Sequence, residues 1–249
     1  MKVTVVAVPI DYLASLHSDV EAIAEVARKA PPDLPITSCP GWDMTALLRH
    51  VGRVHRWATV VATSRTQQGP PPTDPVTGDN AVAFLLDGAA GVEAALRALP
   101  NDAPCWNFTS APQVGAFWHR RQAQETAVHR WDAEDAFGDG TPFSPEFAVD
   151  GIDEFLSLMA PSRLAGRDGI DVGGSIHLHT TDHDGEWMIH TDDGLLRVTN
   201  IHGKGDVALR GPASALLLAL WGRVTPGSHD TEVYGDAAIL ERFIRLVSI

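Results

Sequence analysis

The sequence predicts an all-α part followed by an α+β part: an antiparallel four-helix bundle, then a smaller domain built on an antiparallel sheet. Residues 9–137 contain four stretches in which apolar side chains recur every three or four positions, the spacing of one helix face. From residue 175 onward the apolar spacing drops to two, the period of a half-buried strand. Because 249 residues exceed the usual size of one domain, we expect two, over residues 1–143 and 144–249.

Four helices are predicted in the first domain because helical spacing recurs in four segments separated by breaks. Their expected ranges are residues 9–29, 44–64, 81–99 and 117–136. Pro31 and Pro32 end the first helix, since proline cannot continue one. Asp43 can cap the free backbone N–H groups at the start of the second. The loop of residues 67–80 is long and rich in Pro and Gly, so one connection can cross the bundle.

The second domain is expected to combine short strands with helices. In chain order we predict a helix over residues 145–159, strands over 175–182, 186–191, 195–200 and 206–210, and helices over 212–222 and 236–247. The first three strands are separated by Asp184 with Gly185 and by Asp193 with Gly194. An Asp-Gly pair between alternating segments is a strong signal for a two-residue hairpin turn, so these strands are predicted to be antiparallel neighbours.

Composition argues against several classes of function. The formal net charge of -13 at pH 7 disfavours nucleic acid or an anionic membrane as a partner, since both attract basic proteins. No run of about 18 apolar residues is present, so we expect no membrane span. Residues 1–12 lack the cleavage pattern of a secretory signal, and Cys39 and Cys105 are too few for a disulfide framework. We therefore expect a cytoplasmic protein with reduced thiols.

The fourth predicted helix carries a candidate metal-binding pair, Glu125 and His129, which their four-residue spacing places on one face. Asp132 extends the same stripe, and polar groups on a core-forming helix need partners because burying them unpaired is costly. His50 lies on a partly apolar face of the second helix and would supply a third ligand, whereas His55 is expected at the edge of that face. Two imidazoles and one carboxylate from two helices are typical of a zinc site with an open position.

Other interpretations compete at three positions. Glu125 could form an ion pair with Arg121, which would leave His129 as an ordinary core histidine. Cys39 precedes the second helix, whose dipole could activate the thiol as a nucleophile, but the sequence favours a structural thiol. Arg223 follows an apolar helix and could bind a substrate carboxylate through two hydrogen bonds, or simply face the negative end of the helix dipole.

A second group of histidines falls in the predicted sheet. Its members are His177, His179, His183 and His190. His177 and His179 alternate with Ile176 and Leu178 on one strand, which favours an outward, solvated face for the histidines. A second metal site is the alternative interpretation of this group.

Three segments, in both halves of the chain, carry a family resemblance. They are CPGWDMTALLRHVGRVHRW (residues 39–57), WNFTSAPQVGAFWHRRQAQETAVHRWDAEDA (106–136) and GPASALLLALWGRV (211–224). They resemble the actinobacterial maleylpyruvate isomerase family, whose members depend on the low-molecular-weight thiol mycothiol. The resemblance implies a DinB-like bundle and a sterol-carrier-like second domain. It also implies that His50, Glu125 and His129 bind a divalent metal, with Zn²⁺ favoured, and that Arg223 contacts the substrate or the thiol.

The activity implied by the resemblance is thiol-dependent. A mycothiol thiolate would attack a small electrophile, either to isomerise a maleylpyruvate-type cis double bond or to remain on the substrate as a conjugate. Two other functions fit the sequence: a hydrolase that uses metal-bound water, and a non-enzymatic protein that binds an apolar ligand in its second domain. We expect the chain to act as a monomer or a small homo-oligomer.

Overall fold

Four long helices form the first part of the chain, in the order that the sequence predicts. In the computed structural model, which describes residues 9–138, 140–167 and 169–247, they are α1 (Tyr12–Lys29), α2 (Met44–Ser64), α3 (Ala81–Arg97) and α4 (Gly115–Phe137). The predicted ranges are confirmed to within a few residues at each end. Asp43 caps α2 as predicted, because its Oδ1 accepts a hydrogen bond from the backbone N–H of Ala46 at 2.7 Å. The prediction that residues 1–12 lack a secretory signal falls partly on residues 1–8, which lie outside the residues that the structure describes.

The bundle (α1–α4) is held together by close packing of neighbouring helices. Helix α1 packs beside α4, and α2 beside α3. The α2–α3 contact is close because two glycines meet there: a Cβ at Gly88 would lie only 2.8 Å from the Gly52 carbonyl oxygen. Arg56 closes this contact, with its guanidinium 3.7 Å above the Phe84 ring and Nη1 donating to the Phe84 carbonyl.

The rest of the chain, here called the sheet unit (residues 145–247), surrounds a five-stranded sheet. Its elements are α5 (Pro145–Glu154), a π-helical turn (Phe155–Met159), α6 (Ala160–Leu164), β1 (Ile176–Thr180), β2 (Glu186–Asp192), β3 (Leu195–Thr199), β4 (Val207–Gly211), α7 (Ala213–Leu220), β5 (Glu232–Gly235) and α8 (Ala237–Val247). The α+β class and both predicted antiparallel strand pairs are confirmed, but the loop between β1 and β2 spans residues 181–185 rather than two residues. The predicted helix over residues 145–159 continues through the π-helical turn into α6.

The sheet corrects one expectation, because it is mixed rather than wholly antiparallel. The strand order is β3-β2-β1-β4-β5, and β1 pairs with β4 in parallel. The chain leaves the edge strand β3, crosses back through residues 200–206 and enters β4 on the far side of β1. Strand β5 was not predicted: it is four residues long and mostly exposed, so it lacks the alternation that marks a strand.

Helix α4 is buried on nearly all sides because it packs against both parts of the chain. Phe117 and Trp118 lie in the bundle core, whereas Ala127 and Trp131 lie in the core shared with the sheet unit. Several of its buried polar side chains are paired with partners on other elements, which offsets the cost of burying them. The pairs are Arg121 with Glu154, Gln124 with Asp150, and Asp132 with Arg223.

Two further expectations concern the chain as a whole. The domain boundary after residue 143 stays a prediction; Phe143 itself packs into the core shared with the sheet unit. Every helix in the described part of the chain is too short or too polar to span a lipid bilayer.

Candidate functional site

A pocket of about 220 Å³ lies between α2, α4 and the segment that follows α7. It is lined by His50 of α2 and by Glu125 and His129 of α4, so the structure brings together the three predicted metal ligands. Glu125 Oε1 lies 3.2 Å from His50 Nε2 and 3.4 Å from His129 Nε2. The three side chains each offer a ligand atom within 4.8 Å of the others.

This donor set fits a divalent ion of the Zn²⁺ type. Two imidazole nitrogens and one carboxylate oxygen are common zinc ligands, and their atoms lie about 3.3 Å apart around a tetrahedral ion with bonds of about 2.0–2.1 Å. The two measured distances to Glu125 Oε1 are close to that spacing. The side chain of His50 is 36% exposed, so the centre has a solvent-facing side through which a small molecule could approach.

The two carboxylate oxygens of Glu125 contact different partners: Oε1 lies near both histidines, and Oε2 lies near an arginine. Oε2 lies 2.9 Å from Arg121 Nη2, so the ion pair that competed with the metal interpretation is present together with the histidine contacts. Arg121 also pairs with the buried Glu154. Burial alone would raise the pKa of Glu125, but hydrogen bonds from His129 and His50 and the charge of Arg121 hold that pKa well below its ordinary value. The carboxylate is therefore charged.

Asp132 fixes the orientation of His129. Its Oδ2 lies 2.8 Å from His129 Nδ1, which leaves Nε2 facing the pocket. Burial opposes the charged form of His129, but the hydrogen bonds to Asp132 and Glu125 outweigh it and raise the pKa of His129 well above its ordinary value. In turn, His129 and Arg223 hold the pKa of Asp132 below its ordinary value despite burial. A carboxylate behind a ligating histidine is a common way to set the tautomer and angle of the imidazole.

Arg223 connects the sheet unit to this centre. Its Nε and Nη2 each lie 3.0 Å from an oxygen of Asp132, and Nη2 lies 3.5 Å from Cys39 Sγ. Nη1 donates to the carbonyl of Trp221, the residue that ends α7. Arg223 therefore contacts the end of α7, and its two parallel hydrogen bonds are made to a carboxylate of the protein itself. Its contact with a substrate stays a prediction.

Trp42 is a site residue that no sequence pattern indicated. Its ring centroid lies 4.8 Å from that of His50 and 5.9 Å from that of His129, on which it stacks at 22°. The turn before α2 aims it there: Gly41 adopts a φ of 85°, which favours glycine, and Trp42 N donates to the Cys39 carbonyl. The same turn brings Cys39 Sγ within 3.4 Å of Asp132 Oδ2.

The expectation for His55 was wrong. Instead of lying at the edge of the α2 face, it is fully buried, with Nε2 2.9 Å from Thr126 Oγ1 on α4. Burial lowers the pKa of His55 to about 3, so the imidazole is neutral at pH 7. His55 thus packs between α2 and α4, whereas His50 lies at the pocket.

The sheet histidines also differ from expectation. His183 and His190 lie outside the cluster that forms, and His202 joins His177 and His179 around Glu186. His177 is 7% exposed rather than solvated, which corrects the outward-face interpretation for that residue.

A larger groove adjoins the inner pocket. It has a volume of about 460 Å³ and shares Trp42 and His50 with the pocket. Arg49, Arg53 and Trp57 of α2 line the remainder of it. The inner pocket and the groove together therefore offer a metal-sized centre and an adjoining cationic and aromatic surface.

Comparison with known families yields two matches that together span most of the chain. A model described as the mycothiol maleylpyruvate isomerase N-terminal domain matches residues 13–134, and one described as the MDMPI C-terminal domain matches residues 146–242. No curated protein sequence gave a significant match.

Two solved structures share the fold. One is a mycothiol-dependent maleylpyruvate isomerase, 13% identical with a TM-score of 0.57. The other is a histidine-to-alanine mutant of a mycothiol-dependent maleylpyruvate isomerase, 12% identical with a TM-score of 0.59. Each alignment covers 89% of this chain and 91% of the other chain.

Proposed function

The chain belongs to the mycothiol maleylpyruvate isomerase family, an enzyme family, and from that membership we propose that it uses mycothiol at a metal centre formed by His50, Glu125 and His129. The observation that carries this proposal is the convergence of these three side chains, from two helices, in one pocket. The sequence predicts Glu125 and His129 from their four-residue spacing and His50 from its place on the partly apolar face of α2.

We propose that these residues hold a divalent ion, with Zn²⁺ the best match to a set of two nitrogens and one oxygen. When bound, such an ion favours the thiolate form of a coordinated thiol at neutral pH. Glu125 contributes a negative charge that the Arg121 contact keeps in place. Asp132 accepts a hydrogen bond from Nδ1 of His129, so that Nε2 faces the pocket and, once its proton is displaced, would be the nitrogen that binds the ion.

The pocket and the groove suggest where the two small molecules bind. We place the thiol end of mycothiol and the electrophile in the inner pocket of about 220 Å³, and the bulk of mycothiol in the groove of about 460 Å³. Trp42 separates the two and, by stacking on His129, keeps water from that face of the ring. Arg49 and Arg53 in the groove provide positive charge for a carboxylate-bearing substrate, whereas Arg223 at the inner wall is paired with Asp132 and borders the site of the electrophile.

In the reaction that we propose, the mycothiol sulfur forms a bond to one carbon of a conjugated cis double bond, and the electron pair moves onto the conjugated carbonyl. Rotation about the resulting single bond and loss of the thiolate then give the trans product and return mycothiol unchanged. If the adduct is protonated instead, mycothiol stays on the substrate as a conjugate. A maleylpyruvate-type substrate suits the first route, because it combines such a bond with carboxylates.

A cytoplasmic location is part of the proposal. Cys39 and Cys105 are both free thiols, as expected in a reducing compartment. A thiol-dependent reaction also requires a pool of reduced thiol.

The direct test is turnover of maleylpyruvate by the purified full-length chain with and without mycothiol. We expect conversion only when mycothiol is present, and a large loss of conversion in His50→Ala compared with the exposed control His17→Ala. Substrate consumption at the same rate without any thiol would contradict the proposal and would indicate a hydrolase.

A further inference from the structure

A second cluster of side chains of the kind that bind metals lies on the sheet. It shares no element with the proposed centre on α2 and α4. His177 and His179 project from the same face of β1. Glu186 of β2 lies directly opposite His179 in the antiparallel pairing. His202 approaches from the segment that joins β3 to β4. Three imidazoles from two separate elements thus surround a single carboxylate.

The distances place all four groups within reach of one ion. Glu186 Oε1 lies 2.9 Å from His179 Nδ1, and Glu186 Oε2 lies 2.7 Å from His202 Nδ1. His177 Nε2 lies 3.5 Å from Glu186 Oε2. Each of the four residues offers a ligand atom within 4.8 Å of the others. Small adjustments would bring these atoms to the spacing of about 3.3 Å around a tetrahedral zinc ion.

One nitrogen in this cluster, His177 Nε2, is buried without a hydrogen bond, because its contact with Glu186 Oε2 at 3.5 Å lacks hydrogen-bonding geometry. His177 is 7% exposed, and its Nε2 has no hydrogen-bond partner among the residues that the structure describes. Leaving a buried polar atom unsatisfied costs on the order of 1–3 kcal/mol, so such an atom calls for an explanation.

Simple ion pairing does not account for the arrangement. One carboxylate carries one negative charge, yet three histidines surround it, and Nε2 of the buried His177 makes no hydrogen bond to it. A neutral imidazole is the form that binds a metal. Three nitrogens and one oxygen form a four-ligand set that suits Zn²⁺ in a closed, structural site.

The segment that carries His202 is seated on the sheet. A Cβ at Gly205 would lie 2.9 Å from His177 N, so the chain passes close over β1 at this point. A Cβ at Gly203 would lie 3.1 Å from Met188 Sδ of β2. His202 itself is 81% exposed, which leaves its side chain free to adjust to an ion. The cluster borders a groove of about 980 Å³, through which an ion can reach it.

We propose that His177, His179, His202 and Glu186 form a second site for a divalent transition-metal ion, Zn²⁺ in particular, which fixes residues 200–206 to the sheet. The site contributes to stability rather than to turnover, because its four protein ligands leave no position for a substrate. It is independent of the proposed function, since it shares no residue with the centre on α2 and α4.

The test uses the full-length chain in a His129→Ala background, so that only the sheet site is measured. Purified protein is stripped with chelator and titrated with Zn²⁺ alone, by calorimetry and by elemental analysis after gel filtration. We expect one equivalent of zinc in this background. We also expect the zinc affinity to fall about 100-fold or more when His202→Ala is added. Losing a side chain that only hydrogen-bonds to a metal ligand already lowers the affinity about 10–100-fold, and His202 is proposed as a ligand itself. Adding His183→Ala, a nearby exposed histidine outside the cluster, should leave binding unchanged.

Two controls distinguish a loss of zinc binding from a folding defect. His202 is mostly exposed, so its replacement should leave the metal-free melting temperature near that of its parent, and only the zinc-induced rise in melting temperature should disappear. Replacing zinc with Co²⁺ should give the visible absorption of a tetrahedral site, and His177→Gln should abolish it. Absence of zinc binding in the His129→Ala background, or binding that survives both His202→Ala and His177→Gln, would overturn the proposal.

Discussion

Asp132 of α4 and Arg223, 91 residues later in the chain, form an ion pair through two parallel hydrogen bonds, each 3.0 Å long. The side chain of Asp132 is 0% exposed and that of Arg223 10% exposed, so the pair is shielded from water. Because Asp132 also holds His129, the sheet unit helps to set the orientation of a candidate metal ligand in the bundle. The stability of the chain and its metal affinity should therefore both depend on this pair.

Removing Arg223 alone should strongly destabilise the protein. In Arg223→Met the buried carboxylate of Asp132 keeps His129 but loses its arginine partner, and breaking a buried pair from one side costs about 3–5 kcal/mol. Adding Asp132→Asn, which removes the stranded charge, should recover part of that loss. Urea unfolding of the single and double variants measures both effects. A loss below about 1 kcal/mol in Arg223→Met would show that the pair contributes little.

Asp132→Ala should weaken the metal centre without removing a ligand. The substitution frees the Nδ1 side of His129, and loss of such a partner lowers metal affinity by about 10–100-fold. Competition with a chromophoric chelator for Zn²⁺ measures the change. Asp135→Ala is the matched control, since Asp135 lies on the same helix outside the pocket. Equal affinity in both variants would argue against a positioning role for Asp132.

Cys39→Ala should retain most of the mycothiol-dependent turnover. Cys39 lies in the pocket and contacts Asp132 and Arg223, but in the proposed reaction the attacking sulfur belongs to mycothiol. We expect a reduction in kcat of less than about tenfold, from the lost contacts with Asp132 and Arg223. If kcat falls to background while metal content is unchanged, Cys39 itself would be the nucleophile.

His55 should make the protein sensitive to acid. Burial holds its folded-state pKa at about 3, against an ordinary value of 6.5, so the folded state resists a proton that the unfolded state accepts. Its contribution to stability is therefore complete above pH 6.5 and is lost as the pH falls toward 3, by up to about 1.4 kcal/mol per pH unit. His55→Leu should remove this dependence, whereas His183→Gln, at an exposed position, should keep the wild-type slope. Urea unfolding between pH 4.5 and 7 gives the slopes, and an unchanged slope in His55→Leu would contradict the assignment.

Much of the bundle could be predicted because its signals are local. Asp43 as a cap and the proline pair after α1 are readable from neighbouring residues, and the four-residue spacing of Glu125 and His129 fixes their common face. The choice between His50 and His55 was harder, because both lie near the apolar face of α2. Helical spacing predicts that His50 faces the bundle interior, and His50 lies at the pocket, but the spacing does not reveal that His55 is buried against Thr126.

The remaining features depend on contacts between distant segments. The pairing of Arg223 with Asp132 requires knowledge of how the sheet unit packs on α4, and nothing in the local sequence encodes it. The parallel β1–β4 pair has no turn signal, since hairpin motifs report only on strands that are adjacent in the chain. His202 was missed for the same reason, because it reaches the sheet cluster from a loop.

The central claim is that His50, Glu125 and His129 bind a metal ion, and zinc content tests it most directly. The comparison uses His202→Ala, in which the sheet site is disabled, and the same variant with His129→Ala added. His119→Ala, on the same helix but outside the pocket, replaces His129→Ala in the control. After equilibration with Zn²⁺ and gel filtration, we predict about one equivalent of zinc per chain in His202→Ala and in its His119→Ala control. We predict almost none when His129→Ala is present. Equal zinc content in all three proteins would contradict the proposed centre.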